Sequence, residues 1–444
     1  MQKNDKFIVK IEDMGIEGEG IAKIDGQVVF VPFALTNEEV EIQIIYLKSK
    51  FAIGKILNIL KPSPLRVVAP CPYFTKCGGC DIQHINYENQ LILKHTNLVN
   101  TLKKIGGINF SVEPVFPCKN PFNYRNKIAL PVVFQNGRTV VGLYRKNSHK
   151  IVEINDCIIQ EPFVKKLIEI TNKYIVEQNI VGYDEVSNLG TLRHVLARYY
   201  NNQIIVTLVS TTKDLPKINE FEKFLKQNFK NFGLELNINN KKTNVILGGK
   251  TIHISGLKEL EIEENGIKYG VSNNSFMQVN NYIRNAIYNF VLKNISNSET
   301  IVDLYSGAGV LTSMLSKVAK KVYGIEIEKS AVKNANELME QNGITNVTNI
   351  CGDAECELEK LSGTLKEDFS LVLDPPRKGI SEKTCNLILK TKPKRIIYIS
   401  CNPATLSRDL KLLTQKYDIL SITPFDMFPQ TKHLETVVCL NSKN

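Results

Sequence analysis

Residues 301 to 312 read IVDLYSGAGVLT, and this stretch decides the fold of the carboxyl-terminal part of the chain. Its apolar start predicts a buried strand, its small residues predict a tight turn, and VLT predicts the start of a helix. Gly307 and Gly309 would let the backbone approach a ligand closely, and the N–H groups of the next helix offer hydrogen bonds. The turn lacks the full G-x-G-x-x-G pattern, so on its own it does not identify the ligand.

From about residue 280 onward, strand-like and helix-like patterns alternate at regular spacing. This alternation predicts an α/β domain built on a doubly wound sheet. The segments that we predict as strands are TIVDLY, KKVYGIEI, NVTNICGD, FSLVLD, RIIYIS, YDILSITPF and ETVVCL. Seven strands with intervening helices suffice for a complete nucleotide-binding type of domain.

Acidic residues follow three of these strands, at the edge where open α/β sheets bind ligands. Glu326 comes about twenty residues after Tyr305, where a carboxylate can accept hydrogen bonds from the ribose hydroxyls of an adenosine. Asp353 ends the following strand and is expected near the adenine. Asp374 opens DPPRKG, whose two prolines predict a rigid loop beside the substrate.

A cysteine ends the fifth strand, in the stretch RIIYISCNPAT at 395 to 405. A thiol at this edge is a candidate nucleophile, whereas the alternative is a small buried core residue. A dehydrogenase would share the glycine turn and the acidic residue. The endings DPPR, SCNP and KHLETV, however, place a carboxylate, a thiol and a second carboxylate on one edge, which favours a methyltransferase.

The chain upstream of this domain has a different character. Residues 1 to about 60 alternate like short strands with glycine turns, which predicts a small β-barrel. KPSPLR at 61 to 66 is typical of a linker. The region from about 110 to 265 mixes strand-like runs with helical patterns around 162 to 177 and 217 to 228, which predicts a mixed α+β domain.

Charge and hydropathy narrow the class of protein. The 444 residues carry a net charge of +11, with a pI near 9.0, which makes a polyanion such as nucleic acid a plausible partner. We expect neither export nor a membrane partner, because no uncharged apolar run of 18 or more residues occurs. The chain is therefore expected in the cytoplasm, where clustered cysteines favour metal binding or catalysis over disulfides.

Three cysteines cluster in CPYFTKCGGCDIQH, at 71 to 84. Two kinds of site compete for this spacing: a zinc site completed by His84, or an iron-sulfur cluster with a fourth cysteine from elsewhere. Cys118 and Cys157 are both candidates for that fourth ligand. The residues alone leave these alternatives open.

Four motifs together resemble those of a known family. DLYSGAG, LDPPRKG, YISCNPATLSRDL and KHLETVVCL are similar to motifs of the SAM-dependent RNA (uracil-5-)-methyltransferases, in particular the RumA type that acts on 23S rRNA. The resemblance implies a class I SAM-methyltransferase domain with a Rossmann-like fold at 266–444 and a central domain at 61–265. It also implies an OB-like TRAM barrel at 1–60, in the run GIEGEGIAKIDGQVVFVPFAL, which would bind RNA.

The resemblance also assigns roles to individual residues. Cys401 is expected to add to C6 of uracil, and Glu435 is expected to remove the proton from C5. From its position two residues before Gln278, Phe276 is a candidate to stack on the flipped uracil, with a core aromatic as the alternative. Arg377 is a candidate to favour the thiolate, with a structural ion pair to a nearby acid as the alternative. The expected SAM contacts are Gln278, Tyr305, Glu326, Asp353 and Asp374. The expected ligands of a [4Fe-4S] cluster are Cys71, Cys77, Cys80 and Cys157, which would position RNA or stabilise the fold.

These implications predict a monomeric enzyme that methylates C5 of a specific uridine in 23S rRNA. A tRNA uridine C5-methyltransferase is the first alternative, but bacterial tRNA enzymes of this family generally lack the barrel and the cluster. An RNA cytosine enzyme commonly needs a second cysteine in a Pro-Cys context, and here Pro-Cys occurs only at Cys71 and Cys118. The third alternative is a non-catalytic RNA-binding assembly protein that kept the fold.

Overall fold

The computed structural model describes residues 1–295, 298–365 and 369–443. Its amino-terminal unit is a six-stranded sheet in the order β1-β5-β6-β4-β3-β2. The strands are β1 (Lys6–Lys10), β2 (Asp13–Met14), β3 (Gly20–Ile24), β4 (Gln27–Val31), β5 (Glu39–Leu47) and β6 (Phe51–Lys61). The two edge strands are separated in the chain by residues 11 and 12 alone, so the sheet curls into the predicted barrel.

The central part of the chain forms a seven-stranded mixed sheet in the order β13-β12-β11-β10-β7-β8-β9. Its strands are β7 (Lys127–Gln135), β8 (Arg138–Tyr144), β9 (Ile151–Glu153), β10 (Leu192–Tyr200), β11 (Gln203–Ser210), β12 (Asn231–Ile238) and β13 (Lys250–Gly256). Helices α2 (Phe163–Glu177) and α3 (Ile218–Asn228) match the predicted helical patterns and pack on this sheet. The apolar faces of these elements share one core.

One helix that precedes residue 266 and a hairpin that spans it both pack against the carboxyl-terminal domain. Helix α1 (Tyr87–Thr101), which the side chain of Asn86 caps, continues into a π-helical turn, Leu102–Gly106. Leu98 and Leu102 join the core of the carboxyl-terminal domain. A separate hairpin, β14 (Leu260–Glu264) and β15 (Ile267–Val271), also packs on that domain. Both elements tie the central segment to the last domain.

The carboxyl-terminal domain has the predicted alternation of strands and helices. Its strands are β16 (Ser298–Leu304), β17 (Ala319–Glu326), β18 (Val347–Cys351), β19 (Phe369–Leu373), β20 (Arg395–Ser400), β21 (Tyr417–Phe425) and β22 (Glu435–Ser442). Its helices are α4 (Asn281–Ile295), α5 (Val310–Leu315), α6 (Lys329–Gln341), α7 (Ala354–Ser362), α8 (Glu382–Thr391) and α9 (Pro403–Leu413).

The sheet of this domain has the order β18-β17-β16-β19-β20-β22-β21, so it is doubly wound around β16. The first five strands in this order are parallel, and β22 runs antiparallel between β20 and β21. Ile396 and Tyr398 face one core, whereas Ile397 and Ile399 face the other. Burial on both faces explains why the sequence of β20 is a continuous apolar run.

In the described part of the chain, no helix is both long and apolar enough to span a bilayer. The segment 61–66, predicted as a linker, is fastened to the barrel. The Arg66 guanidinium donates to both carboxylate oxygens of the fully buried Glu38, over 2.5 and 2.7 Å, and to the carbonyl of Phe33. This bidentate ion pair holds the barrel against the chain that leads to the cysteines.

Candidate active site

The predicted site residues of the carboxyl-terminal domain lie at one edge of its sheet. Tyr305, Glu326, Asp353 and Asp374 each end a parallel strand or follow one within two residues. Leu304 is paired with Ile325 on one side and with Leu373 on the other, so these strands end at the same level. Because β22 runs the other way, its first residue lies at this edge as well.

The glycine turn after β16 is held in a strained conformation. Tyr305 has a φ of +66°, a region that non-glycine residues rarely adopt, and its N–H donates to the Ile325 carbonyl over 2.9 Å. Gly309 also has a positive φ, and a Cβ there would lie 2.8 Å from the Cβ of Ala335. The glycine is therefore required both for the turn and for the close approach of α6.

Glu326 and Asp353 are fixed by backbone donors at neighbouring strand ends. The Glu326 carboxylate accepts from the N–H groups of Gly307, over 3.0 Å, and Glu328, over 2.9 Å. Oδ1 of Asp353 caps α7 by accepting from the N–H groups of Glu355 and Cys356. The glycine turn is thus coupled directly to the carboxylate predicted to hold a ribose.

Two carboxyl groups beside the turn have perturbed pKa values. Burial raises the pKa of half-buried Asp374 to about 7. Burial, reinforced by the charges of Asp374 and Glu326, raises the pKa of Asp303 to about 7 as well, against a hydrogen bond from the Thr312 hydroxyl. Asp303 was not predicted as a site residue, although an acidic residue within an apolar strand is an unusual signal.

Cys401 and Glu435 face each other across two neighbouring strands. The last ladder pair of β20 and β22 joins Ser400 to Thr436, so the next residues along the two chains are Cys401 and Glu435. Directly opposite residues of an antiparallel pair have Cβ atoms about 5 Å apart. Glu435 is 3 % exposed and Cys401 is half-buried. The thiol and the carboxyl group thus lie side by side in a partly buried site.

The charges around this pair act on both groups. Burial, followed by the charge of Glu435, raises the pKa of the Cys401 thiol to about 11, and Arg377 opposes this. Burial and the charge of Asp374 raise the pKa of Glu435 well above its usual range, again against Arg377. Arg377 is therefore a cation whose charge favours the ionised form of both groups.

The loop that carries Arg377 is held by the helix that follows Cys401. The Asn402 side chain caps α9 at Ala404 N and also donates to the Arg377 carbonyl, over 3.0 Å. Asp409, which is 1 % exposed, accepts from the N–H of Ile380 over 3.0 Å. The motif SCNP thus has a structural role besides carrying the thiol, because its asparagine joins α9 to the loop 374–380.

Phe276 and Gln278 lie on the loop 272–280, between the central sheet and α4. Phe276 is 82 % exposed, so its ring is free to receive a ligand. The Gln278 carbonyl accepts from the side chains of Asn126 and Arg284, each over 3.3 Å. Arg284 forms a buried ion pair with Glu264. The loop is thereby anchored to both neighbouring domains.

The four predicted cluster cysteines line one cavity of about 440 Å³. They are Cys71, Cys77, Cys80 and Cys157. Burial raises the pKa of Cys157 to about 12, and the neighbouring thiols of Cys77 and Cys71 add to the shift. Among the described residues, no three or more His, Cys, Asp or Glu side chains are placed to hold a metal ion. The structure therefore does not show the predicted iron-sulfur group.

The two other candidate ligands lie elsewhere. His84 is 2 % exposed and packs its ring against Phe33 and Phe74, and neither ring nitrogen has a hydrogen-bond partner among the residues that the structure describes. Cys118 is buried in the core beside α4, where its thiol donates to the Asn120 carbonyl over 3.1 Å. Neither residue lines the cysteine cavity.

The chain is similar to known proteins over most of its length. Residues 86–443 match the profile of the tRNA (uracil-5-)-methyltransferase family, and residues 2–57 match the TRAM domain. An uncharacterised RNA methyltransferase of Clostridium acetobutylicum is 39 % identical over 449 residues, covering 99 % of this chain and 98 % of its own. A similarly described protein of Halalkalibacterium halodurans is 39 % identical over 451 residues, covering 100 % of this chain and 98 % of its own.

One solved structure is similar over the whole chain. The Pyrococcus abyssi tRNA (uracil-54, C5)-methyltransferase, in complex with S-adenosyl-L-homocysteine, superimposes with a TM-score of 0.81 at 26 % identity. The match covers 98 % of this chain and 99 % of that one. All three parts of the present chain therefore have counterparts in that protein.

Proposed function

Because the chain belongs to the tRNA (uracil-5-)-methyltransferase family and carries a TRAM domain, we propose that it transfers the methyl group of SAM to C5 of a uridine in RNA. The family and the TRAM domain that the sequence predicted are both confirmed by these matches. The observation that best supports the chemistry is the pairing of a thiol with a buried carboxyl group at the edge of the sheet. The proposed compartment is the cytoplasm and the proposed state is a monomer.

The reaction needs both groups, because uracil C5 is a poor nucleophile. Cys401 loses its proton and adds to C6, and the electron pair of the C5–C6 double bond moves to O4 as an enolate. The enolate carbon C5 then attacks, and bound SAM supplies the electrophilic methyl group. Glu435 takes the proton from C5, the double bond re-forms, and the sulfur of Cys401 leaves C6. S-adenosylhomocysteine leaves with the electron pair of the broken sulfur–methyl bond, and the methylated RNA is released. The departing thiolate takes a proton from solvent, which replaces the one that Cys401 gave to solvent at the start, and Glu435 returns the C5 proton to solvent.

The perturbed pKa values suit these roles. A carboxyl group with a raised pKa is a stronger base once it is ionised, and Arg377 favours its ionised form. The Cys401 thiol is protonated at neutral pH, so the free enzyme is protected from adventitious oxidation. We infer that Arg377 favours the thiolate when RNA binds and water is excluded, because its charge then acts in a lower dielectric.

The SAM contacts form the second part of the proposal. Tyr305 and Glu326 would hold the adenosine, since the Glu326 carboxylate lies over the glycine turn. Asp353 would lie near the adenine with the oxygen that does not cap α7. Asp374 and Gln278 would face the amino acid end and the methyl group. Apart from Gln278, these residues lie at the ends of neighbouring strands, which supports this assignment because SAM-binding folds hold their ligand at that edge of the sheet.

RNA binding is proposed for the barrel and for Phe276. Tyr46, Lys48 and Lys50 are exposed at the turn between β5 and β6, where the Tyr46 ring lies 6.2 Å from that of Phe51. Aromatic rings with adjacent lysines are typical of surfaces that stack bases and pair with phosphates. Exposed Phe276 would stack on the uracil after it flips from its strand.

The RNA substrate that we propose is 23S rRNA, on the strength of the four motifs. A tRNA uridine is the second candidate, and a specific observation favours it. The Pyrococcus abyssi tRNA enzyme is similar across 99 % of its chain, so a tRNA enzyme has the same three-part arrangement. The presence of the barrel alone therefore does not separate the two substrates.

We also propose that the cysteine cavity holds a [4Fe-4S] cluster. A donor set of four thiols is the one that such clusters require. The four cysteines line one cavity. Burial raises the pKa of Cys80, and the thiols of Cys157, Cys77 and Cys71 are close enough for their charges to add to this shift. When bound, the cluster would join the chain around residues 71–80 to Cys157.

Trapping with 5-fluorouridine RNA tests the proposed chemistry, because fluorine at C5 cannot leave as a proton. Protein incubated with SAM and substituted 23S rRNA or tRNA fragments should form an adduct that survives denaturing electrophoresis. Cys401→Ala should abolish the adduct and reduce methyl transfer by at least about 10⁴-fold, whereas Cys356→Ala, a change at an exposed cysteine, should preserve both. The proposal is refuted if neither RNA forms an adduct. If both do, the RNA that forms the adduct faster identifies the substrate.

A further inference from the structure

The loop that leads into Glu435 is buried although it has no regular secondary structure. This loop, residues 426–434, joins β21 to β22. Asp426, Met427 and Gln430 are at most 2 % exposed. Buried backbone and side-chain polar groups need partners, and an irregular loop cannot supply all of them itself. The partners of this loop therefore influence how the chain enters β22 at Glu435, in addition to the strand pairing.

Several of those partners come from the segment that directly follows the cysteines. The N–H groups of Asp81 and Ile82 both donate to the Gln430 carbonyl, over 3.0 and 3.1 Å. The Asp81 carboxylate accepts from Lys432 N, over 3.4 Å, and from the Lys146 ammonium, over 2.8 Å. Asp81 is covalently adjacent to Cys80, so the position of this cysteine is transmitted to the loop.

Helix α1 contributes a second set of contacts. Gln90 and Gln430 form a reciprocal pair, in which Gln90 Nε2 donates to Gln430 Oε1 over 2.9 Å and Gln430 N donates to Gln90 Oε1 over 3.1 Å. The Lys94 ammonium binds Asp426 over 2.5 Å and the Phe428 carbonyl over 3.1 Å. Both glutamines are at most 2 % exposed, so solvent does not replace these bonds.

The backbone of Gln430 shows that these contacts hold the loop in place. Its φ is +69°, which is unfavourable for a residue with a side chain and persists only where the surroundings impose it. Five residues later the chain reaches Glu435. The cavity that the four cysteines line is also lined by Phe428, Thr431 and His433 of this loop. Filling or emptying the cavity therefore acts on the same stretch of chain.

We propose that the segment 77–82, together with Gln90, is the support that positions Glu435, with Asp81 and Gln430 as positioning residues. The cysteine site would then serve the last chemical step, the removal of the C5 proton, and not the addition of the thiol. The inference rests on the proposed function, because it needs Glu435 to be the base. It gives the cysteine site a role in catalysis without electron transfer.

The proposal has a specific kinetic signature. If Glu435 is displaced, Cys401 still adds and the methyl group is still transferred, but the C5 proton stays. A covalent adduct should then accumulate on ordinary uridine RNA with SAM, as it should for Glu435→Gln. Loss of the fold would instead reduce the addition and the release together.

The test compares Gln90→Met and Asp81→Ala with wild type. Release of methylated RNA should slow by about tenfold to a hundredfold, while the rate of adduct formation with 5-fluorouridine RNA should stay within about twofold. Cys71→Ser should give the same signature, visible as adduct on a denaturing gel. Lys146→Ala is the matched control, because it removes the other partner of Asp81 but no contact to the loop.

The outcomes separate the two hypotheses. If wild type forms no adduct with 5-fluorouridine RNA, the proposed function fails and this inference falls with it. If wild type forms the adduct but Gln90→Met and Asp81→Ala release RNA at the wild-type rate, only the inference is overturned. A parallel decrease of addition and release in these variants also overturns it, because the contacts would then support the fold in general.

Discussion

The edge of the carboxyl-terminal sheet and the cysteine cavity are built in opposite ways. The edge is built on the ladder between β20 and β22, which continues without interruption for six residue pairs and brings the strand ends that carry Cys401 and Glu435 side by side. The cavity collects Cys71 and Cys157 from irregular stretches that are distant in sequence. A strand ladder determines positions locally, whereas loops depend on what packs between them. The cavity should therefore be the more fragile of the two sites.

Replacing a cysteine of the cavity should have the largest effect of the changes considered, because the cavity is the more fragile site. We expect Cys157→Ser to lower the iron content from about four atoms per chain to below about one, and to lower the melting temperature, because the loops lose their shared ligand. Iron and sulfide analysis of anaerobically purified protein provides the measurement. Cys118→Ser, at a buried thiol outside the cavity, should retain the iron. Equal iron content in both variants would show that the cavity does not hold the cluster.

Removing the cation at the sheet edge should have a smaller effect than replacing a cavity cysteine. In Arg377→Gln, loss of the cation should raise the pKa of the Cys401 thiol further, so that less thiolate is present at neutral pH. We expect adduct formation to slow by about threefold to tenfold, a modest change because Arg377 is exposed and its charge is screened.

A pH series sharpens this measurement. Below the thiol pKa of about 11, the rate of adduct formation should rise with pH in wild type, and the Arg377→Gln profile should be displaced to higher pH. Arg377→Lys keeps the positive charge and serves as the control. Identical profiles for the glutamine variant and wild type would show that this cation has no influence on the thiol.

The smallest expected effect concerns His84, the ligand of the zinc alternative. Its buried ring nitrogens have no partners, and burial lowers its pKa to about 4, so the ring is neutral at pH 7. His84→Phe should keep the packing against Phe33 and Phe74 and increase the free energy of unfolding by about 1 kcal/mol, because an unpaired polar group is removed. Urea unfolding measures this change. Loss of metal in the variant would restore the zinc alternative.

The strand endings explain why the candidate site at the sheet edge could be predicted. Apolar runs such as RIIYIS predicted their strands, and the residues that end or follow parallel strands necessarily meet at one edge. The placement of Glu435 at that edge requires β22 to run antiparallel to β20, a direction that the residue pattern did not predict and the strand pairing shows. The burial of Asp303 was missed because a strand pattern does not reveal the partner of its polar residue, which here is the Thr312 hydroxyl.

The sequence by itself determined the barrel, the doubly wound sheet and the family, because periodicity and strand endings are local properties of the chain. Only the tertiary structure decided which cysteines share a cavity, that His84 packs in an apolar corner, and that Asp81 and Gln90 hold the loop before Glu435. Such contacts join segments far apart in sequence. Their partners are selected by packing and by the need to satisfy buried polar groups, which no local pattern encodes.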